Sequence, residues 1–401
     1  MSASAQLGLE GGTAVSMTIP TPFPEPKPRI SGNTVLLVGV SIYGMAALWP
    51  PLTMLITLIL YYLIPYCFRE GDDASERRRL WNDYLNEVKY NPDYKDLQKI
   101  LFPNPSEVQI DEAYWVNPRG LCLFTSIMRP ANNKQVKAVV CFCHGYSDFT
   151  SFLMRYEYQR LVKAGFAVVS LDYEGHGLSD GAFCYIPNWD YVVEDATVFF
   201  RECCQREFNG LKCFLVGQSM GGAVAFDVYS RVPSMISGVV LIAPMAKISD
   251  EMLPNPVALK FLQWMLGNQG AERLIGLLPL APSKDLSSLA YRLEHKRQLA
   301  YCNPINYSRK PRLATARELV LTTQRISSSL KNFDAPFLVL HGLEDKVTDP
   351  KLSQALFEES TSVDKNLKLY QDMCHTITTG ESAEDLDLVF NDIISWIEAR
   401  L

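Results

Sequence analysis

The chain has no surplus of positive charge, few histidines, and one long stretch with no charge at all. Its 401 residues carry 38 Lys and Arg against 44 Asp and Glu, a formal net charge of -6. A nucleic-acid partner is therefore not expected, because phosphate binding rests on clustered cations. No basic segment precedes a short apolar stretch at the N-terminus, so no cleaved signal peptide is expected. None of the ten cysteines has zinc-type spacing with histidine, so no metal is expected. The cysteines read as small buried apolar side chains kept reduced. Five histidines in the whole chain restrict any acid–base chemistry to very few positions.

Residues 34–68 contain no Asp, Glu, Lys or Arg. A single helix of 35 residues would be ~52 Å long against ~30 Å of hydrocarbon. Pro50-Pro51 divides the run, leaving two alternatives: one span from Pro51 to Phe68, or a hairpin dipping into one leaflet. Either makes 34–68 a membrane anchor. Lys27 and Arg29 precede it, whereas Arg69, Arg77, Arg78 and Arg79 follow it, which predicts a cytosolic catalytic domain. Residues 1–33 are rich in Ser, Gly, Thr and Pro and read as a disordered or extended tail. Residues 69–105 read as a polar, partly helical neck.

From residue 106 the pattern becomes strand-helix alternation. Strands are predicted at 138–143, 166–172, 212–216, 238–242, 336–340 and 367–370, with helices at 152–164, 191–204, 220–230 and 383–399. This alternation predicts an α/β fold: a mostly parallel central sheet with helices on both faces. A mainly helical stretch at about 247–332 interrupts it and reads as an inserted cap.

Gly217-Gln218-Ser219-Met220-Gly221-Gly222 lies between an apolar run and a helical one. A serine on a sharp strand-to-helix turn needs small neighbours, and the helix start behind it offers free amides to a developing anion. Ser219 is thus the candidate nucleophile. In this arrangement an acid and then a histidine follow the serine in the chain. His144 and His176 precede Ser219, His295 sits in a charged run of the cap, and His341 ends a strand just before the acid. His375 remains as the base. Asp345, on the loop after 336–340, is the orienting acid, with Glu344 and Asp349 as exposed rivals. Asp372 is too near His375 in sequence. The oxyanion hole is expected from the amides of Met220 and Tyr146, the latter on the turn after 138–143.

His144-Gly145-Tyr146, Asp172 through Gly181, Gly217 through Gly222, Lys310 through Ala316, His341 through Pro350 and Cys374-His375-Thr376 together resemble the monoacylglycerol lipase family of α/β-hydrolases, including its plant-type, caffeoyl shikimate esterase-like members. The resemblance spans roughly residues 106–401. It implies an α/β-hydrolase fold, a serine lipase or esterase with a mobile cap over an acyl pocket, and the triad Ser219, Asp345 and His375. The uncharged run departs from the family, whose members are commonly soluble or peripheral. The expected activity is cofactor-free hydrolysis of a lipid ester, most simply monoacylglycerol, at a membrane. Lysophospholipase, acyltransferase and phenolic-ester esterase are the alternatives, with a non-catalytic ligand-binding hydrolase fold a distant third. A histidine and aspartate separated by four residues, common in lipid acyltransferases, is absent.

Overall fold

The computed structural model describes residues 4–7, 15–18, 73–132, 134–245, 276–281 and 286–401. The uncharged run 34–68, Cys67 and most of the cap's first half lie outside the described residues. Within the stretch read as a tail, β1 (Ser4–Leu7) and β2 (Val15–Thr18) pair antiparallel. Among the described residues, no helix is long and apolar enough to cross a membrane.

Helices α1 (Ala74–Tyr90) and α2 (Lys95–Leu101) open the main body. An eight-stranded sheet follows, built from β3 (Val108–Val116), β4 (Cys122–Pro130), β5 (Ala138–Cys143), β6 (Phe166–Leu171), β7 (Cys213–Gln218), β8 (Ile236–Ile242), β9 (Phe337–Gly342) and β10 (Lys365–Tyr370), in the spatial order β10-β9-β8-β7-β5-β6-β4-β3. The six strands β5 to β10 are mutually parallel, and β4 and β3 add antiparallel to β6. The intervening helices are α3 (Leu153–Lys163), α4 (Trp189–Glu207), α5 (Met220–Arg231), α6 (Leu286–Ala290), α7 (Glu294–Tyr301), α8 (Leu313–Ser329), α9 (Pro350–Glu359) and α10 (Ala383–Glu398).

The central strands are continuously apolar because both sheet faces are covered. Val139, Cys141 and Cys143 of β5 join one buried cluster with residues of α4 and α5; Ala138, Val140 and Phe142 join the opposite one with residues of α3 and α10. β3 and β4 escaped the sequence reading. β3 is an edge strand whose Gln109, Asp111 and Glu112 break the apolar alternation, and most of it is exposed. In the cap region the described part is mainly helical (α6, α7 and α8), and Val320 and Ile326 of α8 are buried.

The cysteines pack as expected of small apolar groups. Among the described residues all are free thiols, and six are buried. The sulfurs of Cys141, Cys204 and Cys213 lie 3.4–3.7 Å apart inside the apolar cluster. Among the described residues no histidine or carboxylate joins that group, so the donor set there lacks a fourth ligand for a structural zinc.

The stretch read as a neck is joined to the sheet by buried contacts. Asp73 caps α1 by accepting from the Ser75 amide at 2.7 Å. Ala74, Arg77, Trp81, Tyr84 and Val88 form its buried face at helical spacing. Arg77 has no exposed surface; its guanidinium donates to the carbonyls of Gly177 (2.8 Å), Ser179 (2.6 Å) and Gly181 (3.2 Å). Arg78 donates to Leu178 O and pairs with Asp180, each at 2.8 Å. Two of the four arginines counted for membrane orientation are therefore engaged inside the fold. Arg77→Ala would leave three carbonyls without their donor, and a loss of about 3 kcal/mol in the urea unfolding free energy is expected.

Candidate active site

The turn between β7 and α5 is the tightest place in the molecule's centre. Ser219 has a φ of +54°, a left-handed conformation that non-glycine residues rarely hold. Its amide donates to Ile242 O and its carbonyl accepts from Met245 N, each at 2.9 Å, so the end of β8 holds the strained turn on both sides. A Cβ on Gly221 would lie 1.9 Å from the Cys143 carbonyl oxygen, and one on Gly217 would lie 2.2 Å from the Gly221 carbonyl oxygen. Only glycine lets β5, the turn and α5 approach this closely.

Met220, next to Ser219, begins α5, where amides have no intrahelical partner and the helix dipole is positive. The loop after β5 passes against the same serine: a Cβ on Gly145 would sit 3.5 Å from the Ser219 Cβ. Tyr146 follows on that loop and lines one cavity with Ser219 and His375, of about 450 Å³. Gly145 thus brings the loop that carries Tyr146 against Ser219, and Met220 follows the serine at the helix start. His144 anchors this loop. Its Nε2 accepts from Tyr173 N at 3.2 Å, so its Nδ1 carries the proton and donates to Gly145 O at 2.8 Å. Burial, reinforced by His176, keeps His144 well below the usual histidine range.

His375 Nδ1 lies 2.7 Å from Asp345 Oδ2. A carboxylate only accepts, so Nδ1 bears the proton and Nε2 is left as the basic nitrogen. Asp345 is held from several sides. Its Oδ1 accepts the amides of Val347 (2.7 Å) and Thr348 (3.0 Å), and its Oδ2 also lies 3.0 Å from His341 Nε2 and 2.9 Å from the Thr348 hydroxyl. Burial pulls this carboxyl upward, but His375, His341 and these donors hold it well below the ordinary carboxylate range. Burial likewise pushes His375 down, yet the Asp345 charge and hydrogen bond, with Asp148 assisting, leave it raised. The rivals go elsewhere. Asp349 caps α9 through the Lys351 amide, Glu344 and Asp372 are exposed, and Asp372 has a positive φ.

His341, set aside as a base, is the second imidazole on Asp345. Its Nε2 faces two acceptors, Asp345 and the Thr348 carbonyl, so it donates there, while Nδ1 accepts from the Ser353 hydroxyl at 2.6 Å. Thr378, three residues beyond His375, donates its hydroxyl to the Gln218 side chain and ties that loop to the turn. Asp148 was not singled out in the sequence. It lines the cavity, and burial pushes its carboxyl up to about 6, against the pull of the His375 charge and a Gly145 backbone bond. Its position four residues after His144 is the one signal that could have marked it.

The family model Hydrolase_4, described as Serine aminopeptidase, S33, matches residues 134–382. The chain belongs to this α/β-hydrolase family. Caffeoylshikimate esterase of Arabidopsis thaliana is 31% identical over 296 residues, covering 73% of this chain and 87% of the relative. Monoglyceride lipase of Homo sapiens is 28% identical over 294 residues, covering 72% and 91%. Among solved structures, a soluble variant of monoglyceride lipase from Saccharomyces cerevisiae in complex with a substrate analog superposes with a TM-score of 0.62 at 20% identity, over 75% of this chain and 98% of that one. At that identity it shows the fold. The family supports carboxylic-ester hydrolysis.

A neutral His375 is required for a base, so kcat/KM should fall as pH drops through a value above the ordinary ~6.5 of histidine. Asp148→Asn removes a negative charge that helps raise His375, and should move this acidic limb to lower pH in the pH–rate profile.

Proposed function

We propose that the chain hydrolyses acyl esters of lipids, most simply monoacylglycerol to glycerol and fatty acid, through an acyl-enzyme. The observation that carries this reading is the Asp345–His375 pair in the same cavity as a strained serine at a strand-to-helix turn. Ser219 Oγ attacks the ester carbonyl while His375 Nε2 takes its proton. The Met220 and Tyr146 amides stabilise the oxyanion. His375 then protonates the leaving alcohol, and water activated by the same imidazole releases the fatty acid. Asp345 holds the ring and balances the imidazolium charge; His341 and Thr348 hold Asp345.

Two considerations support a lipid ester: relatives bear the name monoglyceride lipase, and the run 34–68 is free of charge. The same run supports a membrane-held enzyme, and the arginines after it support a catalytic domain on the cytosolic side. A phenolic ester is the second reading, favoured by the 31% identity to a caffeoylshikimate esterase and by Tyr146, Tyr291, Tyr301 and Tyr307 along the cavity.

Purified full chain should release fatty acid from monoacylglycerol, and Ser219→Ala should lower that rate by at least about 10⁴-fold. Equal rates would sink the assignment, and faster turnover of caffeoyl esters would favour the second reading. In membranes from expressing cells the full chain should stay in the pellet after alkaline carbonate extraction; release into the supernatant would argue against the anchor.

A further inference from the structure

The cavity wall is backed from outside the region the family model matches. Residues 134–382 carry the turn, the acid and the base, whereas α1 lies well before them. Yet Trp81 of α1, 3% exposed, packs edge-on against Phe149 at 5.3 Å and Phe152 at 6.3 Å. Both phenylalanines line the cavity. They belong to the loop that begins at His144 and Gly145 and carries Tyr146, and Tyr146 packs partly against the same apolar cluster as Trp81.

A second line of contacts runs from α1 to the same loop. Arg77 and Arg78 grip the carbonyls of residues 177–181. Asp172, buried, accepts from Leu178 N on that segment at 3.0 Å and from Thr150 N, beside Phe149, at 2.8 Å. The helix therefore backs the loop directly through Trp81 and braces it through Asp172. An apolar wall selects among acyl chains by its shape, and a wall residue keeps its rotamer only where packing behind it is complete.

We propose that Trp81 is a positioning residue for acyl-chain recognition: it acts through Phe149 and Phe152 to hold the cavity wall against the acyl chain. This inference rests on the ester-hydrolase reading for its substrate class but not for its geometry. Shortening Trp81 opens space behind the two phenylalanines, which then fall back from the chain. Long acyl chains lose contacts by this, and short ones, which do not reach the wall, lose few.

The test compares a dodecanoyl with a butanoyl glycerol ester on the full-length chain. In a Ser219→Ala background, calorimetry gives the affinity for each ester without turnover; in the otherwise wild-type chain, kcat and KM are measured for both. Trp81→Ala should reduce the dodecanoyl-to-butanoyl preference about tenfold, comparable with a misfitted methylene in an apolar pocket, chiefly through KM. Trp81→Phe should restore most of it. Ile393→Ala, on α10 in a buried cluster that holds neither Trp81 nor the two phenylalanines, controls for lost stability. It should lower the thermal midpoint and leave the preference unchanged. Should Trp81→Ala unfold the chain, Trp81→Leu carries the same comparison. An unchanged preference in the Trp81 variants, or an equal change in Ile393→Ala, overturns the proposal. If the wild-type chain turns over neither ester while the Ser219→Ala chain still binds the long one in a Trp81-dependent way, the hydrolase reading fails and this one stands.

Discussion

The absence of room for a Cβ at Gly221 shapes the centre of this molecule. β5 ends against the first turn of α5, with the Cys143 carbonyl where a side chain would otherwise stand. That approach forces the intervening serine into a left-handed backbone and leaves the loop after β5 nowhere to go but across it. The cost of the strained Ser219 is borne by the surrounding sheet, whose parallel strands are buried on both faces, and by the bonds from β8 that close over the turn. A looser packing of α5 on the sheet would relieve the serine and separate it from the loop after β5.

Charge around the second half of the site is organised by one carboxylate. Asp345 collects two imidazoles, a hydroxyl and two amides in a buried position. An isolated buried carboxylate would take up a proton; this one stays ionised because its donors replace the lost water. Its charge raises His375 despite burial, and its fixed position selects the tautomer with Nε2 free. His341 fixes Asp345 from behind, so the acid is oriented as well as ionised.

The N-terminal helices make the enzyme body larger than its family region. Arg77, wholly enclosed, spends its guanidinium on three carbonyls of a loop one hundred residues away, and Trp81 reaches the loop that crosses Ser219. The first helix of the main body thus backs the wall of the cavity.

Much of this was legible in the sequence, for identifiable reasons. The apolar runs of β5, β7, β8 and β9 announce a sheet covered on both faces, since burial of every residue leaves no polar alternation. The glycines around Ser219 announce the turn, because no other residue fits it. Chain order then reduced five histidines to His375, and the loop after β9 supplied Asp345. Tertiary structure alone decided the rest. The edge strand β3 carries charges that hide its period. The roles of His341, Thr348 and Asp148 arise from distances between loops. The burial of Arg77, which as a sequence symbol reads as a solvated charge flanking an apolar run, depends on carbonyls that only the folded chain brings to it. Local sequence encodes local geometry and the exclusion of water; which polar group meets which, across a hundred residues, is fixed by packing.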